Sequence, residues 1–243
     1  MIAIEKLIKA FGRKPVLKGI DLSVPAGQSV ALFGPNGAGK TTLIRIIAGL
    51  SKHTSGSVKL GGQEVQQAGH GLRRHIGFVS HNPLLYDSLT AEENLIFFGR
   101  LYEVPELSQR INVVLDRVGL LHRRKDLVRT FSRGMIQRLT IARSILHNPP
   151  ILLLDEPDTG LDQQAADMLR GLLLDIGASD RTVLLTTHNL ERGLEWADRA
   201  LILNGGKIRY DSLTDNLTPA EFRQVYTDVV ATVPTIGKEP ASS

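Results

Sequence analysis

The 243-residue chain carries 29 Lys and Arg against 25 Asp and Glu, a formal net charge of +4, with 42% hydrophobic residues and no cysteine. Such a length suits one large α/β domain, or one domain with a small subdomain, and leaves room for a full core. The lack of cysteine excludes a disulfide framework, a thiolate metal site and a cysteine nucleophile, while the mild basicity permits anionic ligands without choosing among them. No run approaches the ~18 apolar residues of a membrane span. Met1–Lys9 alternates apolar and polar residues and lacks the apolar core of a signal peptide. The chain is expected to be soluble by itself and to reach a membrane only through a partner.

Ile2–Ile8 reads as a strand, followed by a loop from Phe11 to Pro15 and a second strand, Ile20–Val24, closed by Pro25-Ala26-Gly27. Gln28–Phe33 reads as a buried strand. It leads into Gly34, Pro35, Asn36, Gly37, Ala38, Gly39, Lys40, Thr41 and Thr42, a full match to the phosphate-cradling pattern GxxxxGK[ST]. Glycines there let backbone N–H groups curl inward, and the following helix points its positive end at the phosphates. Lys40 is placed to reach the β/γ-phosphates, and the Thr41 hydroxyl to hold Mg²⁺. The helix Thr41–Leu50 sets Leu43, Ile46, Ile47 and Leu50 on one face. Ser57–Leu60 and Ile76–Ser80 read as further strands.

From Leu89 the pattern turns helical. Thr90 and Glu93 form a capping box, Leu95, Phe98, Leu101 and Tyr102 follow at helical spacing, and a second helix runs from Pro105 until Gly119 ends it. A third helix covers Ser132–His147. Strand Ile151–Leu154 ends in Asp155 and Glu156, which places two carboxylates in the crevice where α/β sheets bind ligands. Asp155 is expected to hold Mg²⁺ through water, and Glu156 to act on the attacking water as general base or orienter. Helix Gln163–Ile176, strand Thr182–Thr186, helix Leu190–Ala197 and strand Ala200–Asn204 complete an alternation that implies a mostly parallel sheet.

Together the phosphate loop and the acid strand resemble the ATP-binding subunits of ABC transporters, over about residues 2–225. The resemblance implies an α/β fold: a P-loop NTPase core with an N-terminal antiparallel β subdomain and an inserted α-helical lobe. It implies one domain over 1–230, with core 1–87 and 148–230 and lobe 88–147, and a disordered tail from Ala231 to Ser243. Phe131–Met135 sits where the family has its signature at a helix start. There Ser132 and the Gly134 N–H would bind the γ-phosphate of ATP held by another subunit. Asp162 falls in the family's interface loop, His188 at its switch histidine, and Phe11 where an aromatic ring stacks on adenine; a core phenylalanine is the competing reading of Phe11. His81 occupies the position of a Gln that contacts metal and water, and Arg133 and Met135 replace Gly and Gln of the signature.

Within the family, His81, the stretch Leu89–Leu95 with Phe97 and Phe98, Thr130–Met135 and Leu190–Leu194 resemble the ATP-binding subunit of the bacterial haem exporter of cytochrome c maturation. This implies ATP and Mg²⁺ as cofactors and a dimer of ATPase subunits closing on ATP. It also implies integral membrane permease subunits docking near His81–Tyr86, and a peripheral location on the cytoplasmic face of the membrane, with no nucleic acid bound. Another exporter cargo, or a soluble ATPase of the same type acting on nucleic acid or the ribosome, are the alternatives; the absence of a second cassette and of sustained heptads weighs against the latter.

Overall fold

The strands Ser29–Phe33, Ile151–Asp155 and Thr182–Thr186 are buried along their whole length, as near-continuous apolar runs dictate for a sheet covered on both faces. A computed structural model describes residues 1–69, 71–80, 82–161, 163–177, 181–215 and 217–232. The strands are β1 (Ile2–Phe11), β2 (Lys14–Val24), β3 (Ser29–Phe33), β4 (Ser55–Leu60), β5 (Gln63–Glu64), β6 (Ile76–Val79), β7 (Ile151–Asp155), β8 (Thr182–Thr186), β9 (Arg199–Asn204) and β10 (Lys207–Leu213). The helices are α1 (Lys40–Ile47), α2 (Ala91–Leu101), α3 (Leu107–Arg117), α4 (Arg133–Ile145), α5 (Gln163–Gly177), α6 (Leu190–Glu195) and α7 (Pro219–Ala231).

Two sheets result. One is antiparallel, in the order β2-β1-β4-β5; the other runs β10-β9-β3-β8-β7-β6, parallel except for β10. Successive residues on a strand point to opposite faces, and both faces of the larger sheet are apolar. Val30, Leu32, Leu153, Leu184 and Leu201 pack with Leu43, Ile44 and Ile47 of α1 and with Ile2, Leu7 and Val58 of the antiparallel sheet. Ala31, Phe33, Leu152, Leu154, Val183 and Ile202 turn the other way, into a cluster shared with α2 to α7. Helices α2, α3 and α4 lie between β6 and β7 in the chain and form the helical lobe, with the capping box of Thr90 and Glu93 in place at the start of α2.

Several boundaries differ from the sequence reading. β2 begins at Lys14, so the loop before it shrinks to a turn at Gly12 and Arg13, because pairing with β1 carries through Pro15. Leu50 lies beyond the end of α1 and is 45% exposed. β10 and α7 are additional elements. β10 alternates exposed and half-buried residues at a sheet edge, which gives only a weak apolar signal. α7 starts with a second capping box, Thr218 and Glu221, with Pro219 at the first turn, and drives Phe222 fully into the core, its ring 4.8 Å from that of Phe33. Of the tail expected to be disordered from Ala231, the first two residues are ordered, since Ala231 closes α7 and Thr232 caps it, while 233–243 lie outside the described residues. No helix among the described residues is long and apolar enough to cross a membrane.

Where lobe and core meet, His147 donates from Nε2 to the Ile76 carbonyl at 3.1 Å, an acceptor that fixes the proton on that nitrogen, and its ring stacks on Tyr102 at 4.1 Å. Burial lowers its pKa to about 4, reinforced by Arg143, Arg110 and Arg181 and opposed by the Ile76 bond. The unfolded chain takes up this proton near pH 6.5, so the contribution is complete above that pH and is lost as pH falls through 4. Urea unfolding should show a loss of roughly 2 kcal/mol between pH 7 and pH 5 from this group, a loss that His147→Gln removes.

Candidate functional site

The C-terminal ends of β3, β7 and β8 lie side by side at one edge of the parallel sheet, the edge where α/β sheets collect ligand-binding loops. From β3 the chain enters the glycine loop. Gly34 has φ 149, and a Cβ there would collide with the Leu203 carbonyl of β9; Gly39 has φ 109, and a Cβ would stand 2.8 Å from Leu17. Only glycine lets the loop lie this close to its neighbours. Lys40 is 6% exposed and its Nζ donates to the Gly34 carbonyl at 2.7 Å. Burial pulls its pKa below the usual lysine value, opposed by the charges of Glu156 and Asp155. An anion arriving beside this ammonium offsets its desolvation.

Thr41, next in α1, donates from Oγ1 to Asp155 Oδ1 at 3.1 Å, so the hydroxyl and the carboxylate expected at a metal stand together. These are hard oxygen donors, and Mg²⁺ takes one or two such protein ligands alongside phosphate oxygens and water. The pair fits that ion. Asp155 also accepts from Thr186 Oγ1 at 2.9 Å, and the same hydroxyl accepts from the Glu156 N–H at 3.0 Å. Glu156 is held there with φ 54, a backbone region that non-glycine residues seldom adopt. Its Oε1 lies 2.6 Å from His188 Nε2, and Thr159 Oγ1 is 3.5 Å from Oε2.

Phe11, Lys14 and Val16 join Asn36 to Thr42 and Glu156 in lining one open cavity of about 400 Å³. Phe11 is 56% exposed, so it is not a core residue; Lys9 Nζ sits 4.4 Å from its ring centroid. Ser132 and Gly134 are not among the lining residues. Ser132 is the N-cap of α4 and accepts from the Met135 N–H at 3.3 Å, while Gly134 approaches the Gly160 carbonyl and the Arg133 stem lies over Gly160. Gln137 donates to the Pro157 carbonyl at 2.9 Å, tying α4 to the segment after Glu156. His81 and Asp162 lie outside the described residues.

Comparison with known proteins gives this geometry a family. The sequence pattern described as "ABC transporter" matches residues 17–159, which is more than half of the chain. The chain belongs to the ABC transporter family. Like other ABC ATPases it is an ATP-binding, ATP-hydrolysing protein. It is 38% identical over 210 residues to the linearmycin resistance ATP-binding protein of Bacillus subtilis (strain 168), covering 86% of this chain and 68% of that one. It is 36% identical over 209 residues to a Nod factor export ATP-binding protein of Ralstonia nicotianae, covering 85% of this chain and 65% of that one. This ABC ATPase thus spans about two thirds of the length of these relatives. Among solved structures it superposes with a TM-score of 0.81 on a dimeric post-hydrolysis state of the ATP-binding cassette MJ0796 bound to ADP and Pi. That match is 27% identical and covers 89% of this chain and all of the other.

Two functional contacts escaped the sequence reading. Thr186 joins Asp155 and Glu156, and its signal is register: Asp155 pairs with Thr186 where β7 and β8 end together. Asp158 accepts from Thr187 Oγ1 at 2.9 Å, which ties the loop after Glu156 to the residue before His188. Nothing in residue spacing alone marks that pair.

Proposed function

We propose that this chain is the ATP-hydrolysing subunit of an ABC exporter, and that two copies close on ATP. The observation that carries the reading is the joint between Glu156 and His188 beside the Lys40 and Thr41 loop. In it Lys40 and the loop N–H groups bind the β/γ-phosphates, and Phe11 offers an exposed ring for the adenine. Thr41 and Asp155 would hold Mg²⁺, which neutralises phosphate charge when bound. Glu156 orients the attacking water or takes its proton, and His188 fixes the carboxylate. The γ-phosphate still lacks donors on its far side. Ser132 and Gly134 open α4, a helix start with no acid in its first turn, and supply those donors from the facing copy. The dimeric cassette noted above supports this arrangement.

Of the cargo readings, haem has no support in the relatives named above, one of which is a resistance protein and the other a Nod factor exporter. These names favour the wider alternative, export of another cargo. In this reading the chain sits peripherally at the cytoplasmic face, held by membrane subunits that dock beside the segment from His81 to Tyr86. Purification from detergent-solubilised membranes tests it. Multi-span membrane subunits should copurify in stoichiometric amount; ribosomes or DNA in their place would contradict the reading.

A further inference from the structure

The edge of the parallel sheet opposite the phosphate loop also carries a cavity, of about 520 Å³. It lies where β3 and β9 begin and β10 ends, against α5 and α6. Its lining includes Leu173, Leu194, Glu195, Trp196, Asp198 and Asp215. Although the chain has a net charge of +4, every charged residue of this lining is an acid. Asp198 accepts at Oδ2 from the Ser29 N–H at 2.8 Å, and Glu195 lies 3.9 Å from Arg170 in an exposed pair. The Asp215 side chain has no hydrogen bond or ion pair among the described residues.

Trp196 adds a donor to these acceptors. It is 5% exposed and lines the cavity, and its indole N–H makes no hydrogen bond among the described residues. That nitrogen is not sealed from solvent either, so it opens on the cavity. A buried indole N–H usually finds an acceptor, and an occupant that brings one would satisfy it. Among the described residues no three acidic or histidine side chains gather closely enough to hold a metal ion. Acids spread around a partly apolar hollow suit a larger, organic cation instead, with Leu173 and Leu194 left to cover its aliphatic stem.

We infer that this cavity binds an arginine of a partner protein. The guanidinium pairs with Asp215 and Glu195, the stem covers Leu173 and Leu194, and a backbone carbonyl beside it accepts from the Trp196 N–H. Arginine fits better than lysine because its planar fork can serve two separated carboxylates at once. The site is distinct from the nucleotide cavity and needs no second copy of the chain. Its occupant rests against α6, whose N-cap Asn189 directly follows His188, which puts the partner one short helix away from the hydrolytic residues.

The chain contains one tryptophan, so its indole N–H gives a single NMR signal from inside the site. Titration of the isotope-labelled full chain with N-acetyl-arginine methylamide should move that signal saturably. N-acetyl-citrulline methylamide keeps the shape without the charge, and methylguanidine keeps the charge without the carbonyl. Each should bind about fivefold more weakly. Asp215→Asn combined with Glu195→Gln should weaken binding of the arginine compound by a similar factor, about fivefold. A signal that stays still, an equal response to the citrulline compound, or binding that survives both amide changes would overturn the site. Equal binding of methylguanidine would overturn the protein partner and leave a free organic cation as the occupant.

Discussion

Glu156→Gln is expected to lower steady-state ATP hydrolysis by about 10²–10⁴-fold while ATP still binds. The amide keeps the size of the carboxylate and can stay near His188, which lies 2.6 Å from Oε1. It cannot accept a proton from water, and as an acceptor it is weaker than a charged group. Binding rests on other parts: the loop N–H groups, Lys40 buried behind the loop, and Thr41 beside Asp155. Turnover and binding should therefore separate cleanly, with hydrolysis followed by phosphate release and binding by a fluorescent nucleotide. Normal hydrolysis by this variant would remove Glu156 from the catalytic role.

Ser132→Arg is expected to abolish steady-state hydrolysis almost as fully, by a different route. Ser132 is outside the cavity that holds Lys40 and Thr41, so the isolated chain should bind ATP with nearly unchanged affinity. The loss of the cap of α4 costs about 1 kcal/mol, too little to unfold the domain. A long cation at the start of α4 instead blocks the surface proposed to meet the γ-phosphate in the facing copy. Mixing provides a sharper form of the measurement. Combined with the wild-type chain in equal amounts, the variant should depress total activity, because one blocked surface keeps both sites of a mixed dimer from closing. Unchanged hydrolysis by Ser132→Arg alone would dispose of the two-chain site.

The parts of this fold that were readable in advance are those in which local chemistry and global fold agree. The glycine loop is one: its φ values and the collision of any Cβ at Gly34 with Leu203 explain why the pattern is so specific. The fully buried strands β3, β7 and β8 are another, since apolar runs that end in Asp155 or Thr186 leave little choice of face or direction. β10 was not readable, because an edge strand with one half-buried face resembles a polar loop. α7 was overlooked although Thr218, Pro219 and Glu221 announce its start; its single fully buried anchor, Phe222, means something only once Phe33 is known to lie beneath it. In the site, Asp155 and Glu156 could be placed by strand position, whereas the hydroxyls of Thr186 and Thr187 that hold this edge together depend on the register between strands.

In the proposed function the chain closes on ATP as a pair, with each cavity completed by the other copy's Ser132 and Gly134. Light scattering on the Glu156→Gln chain tests it most directly, because blocked hydrolysis holds the closed state. Without nucleotide the mass should be that of the 26.6 kDa monomer, and with saturating ATP it should double, with the doubling abolished in Glu156→Gln/Ser132→Arg. A variant that binds ATP yet remains at 26.6 kDa would contradict the account.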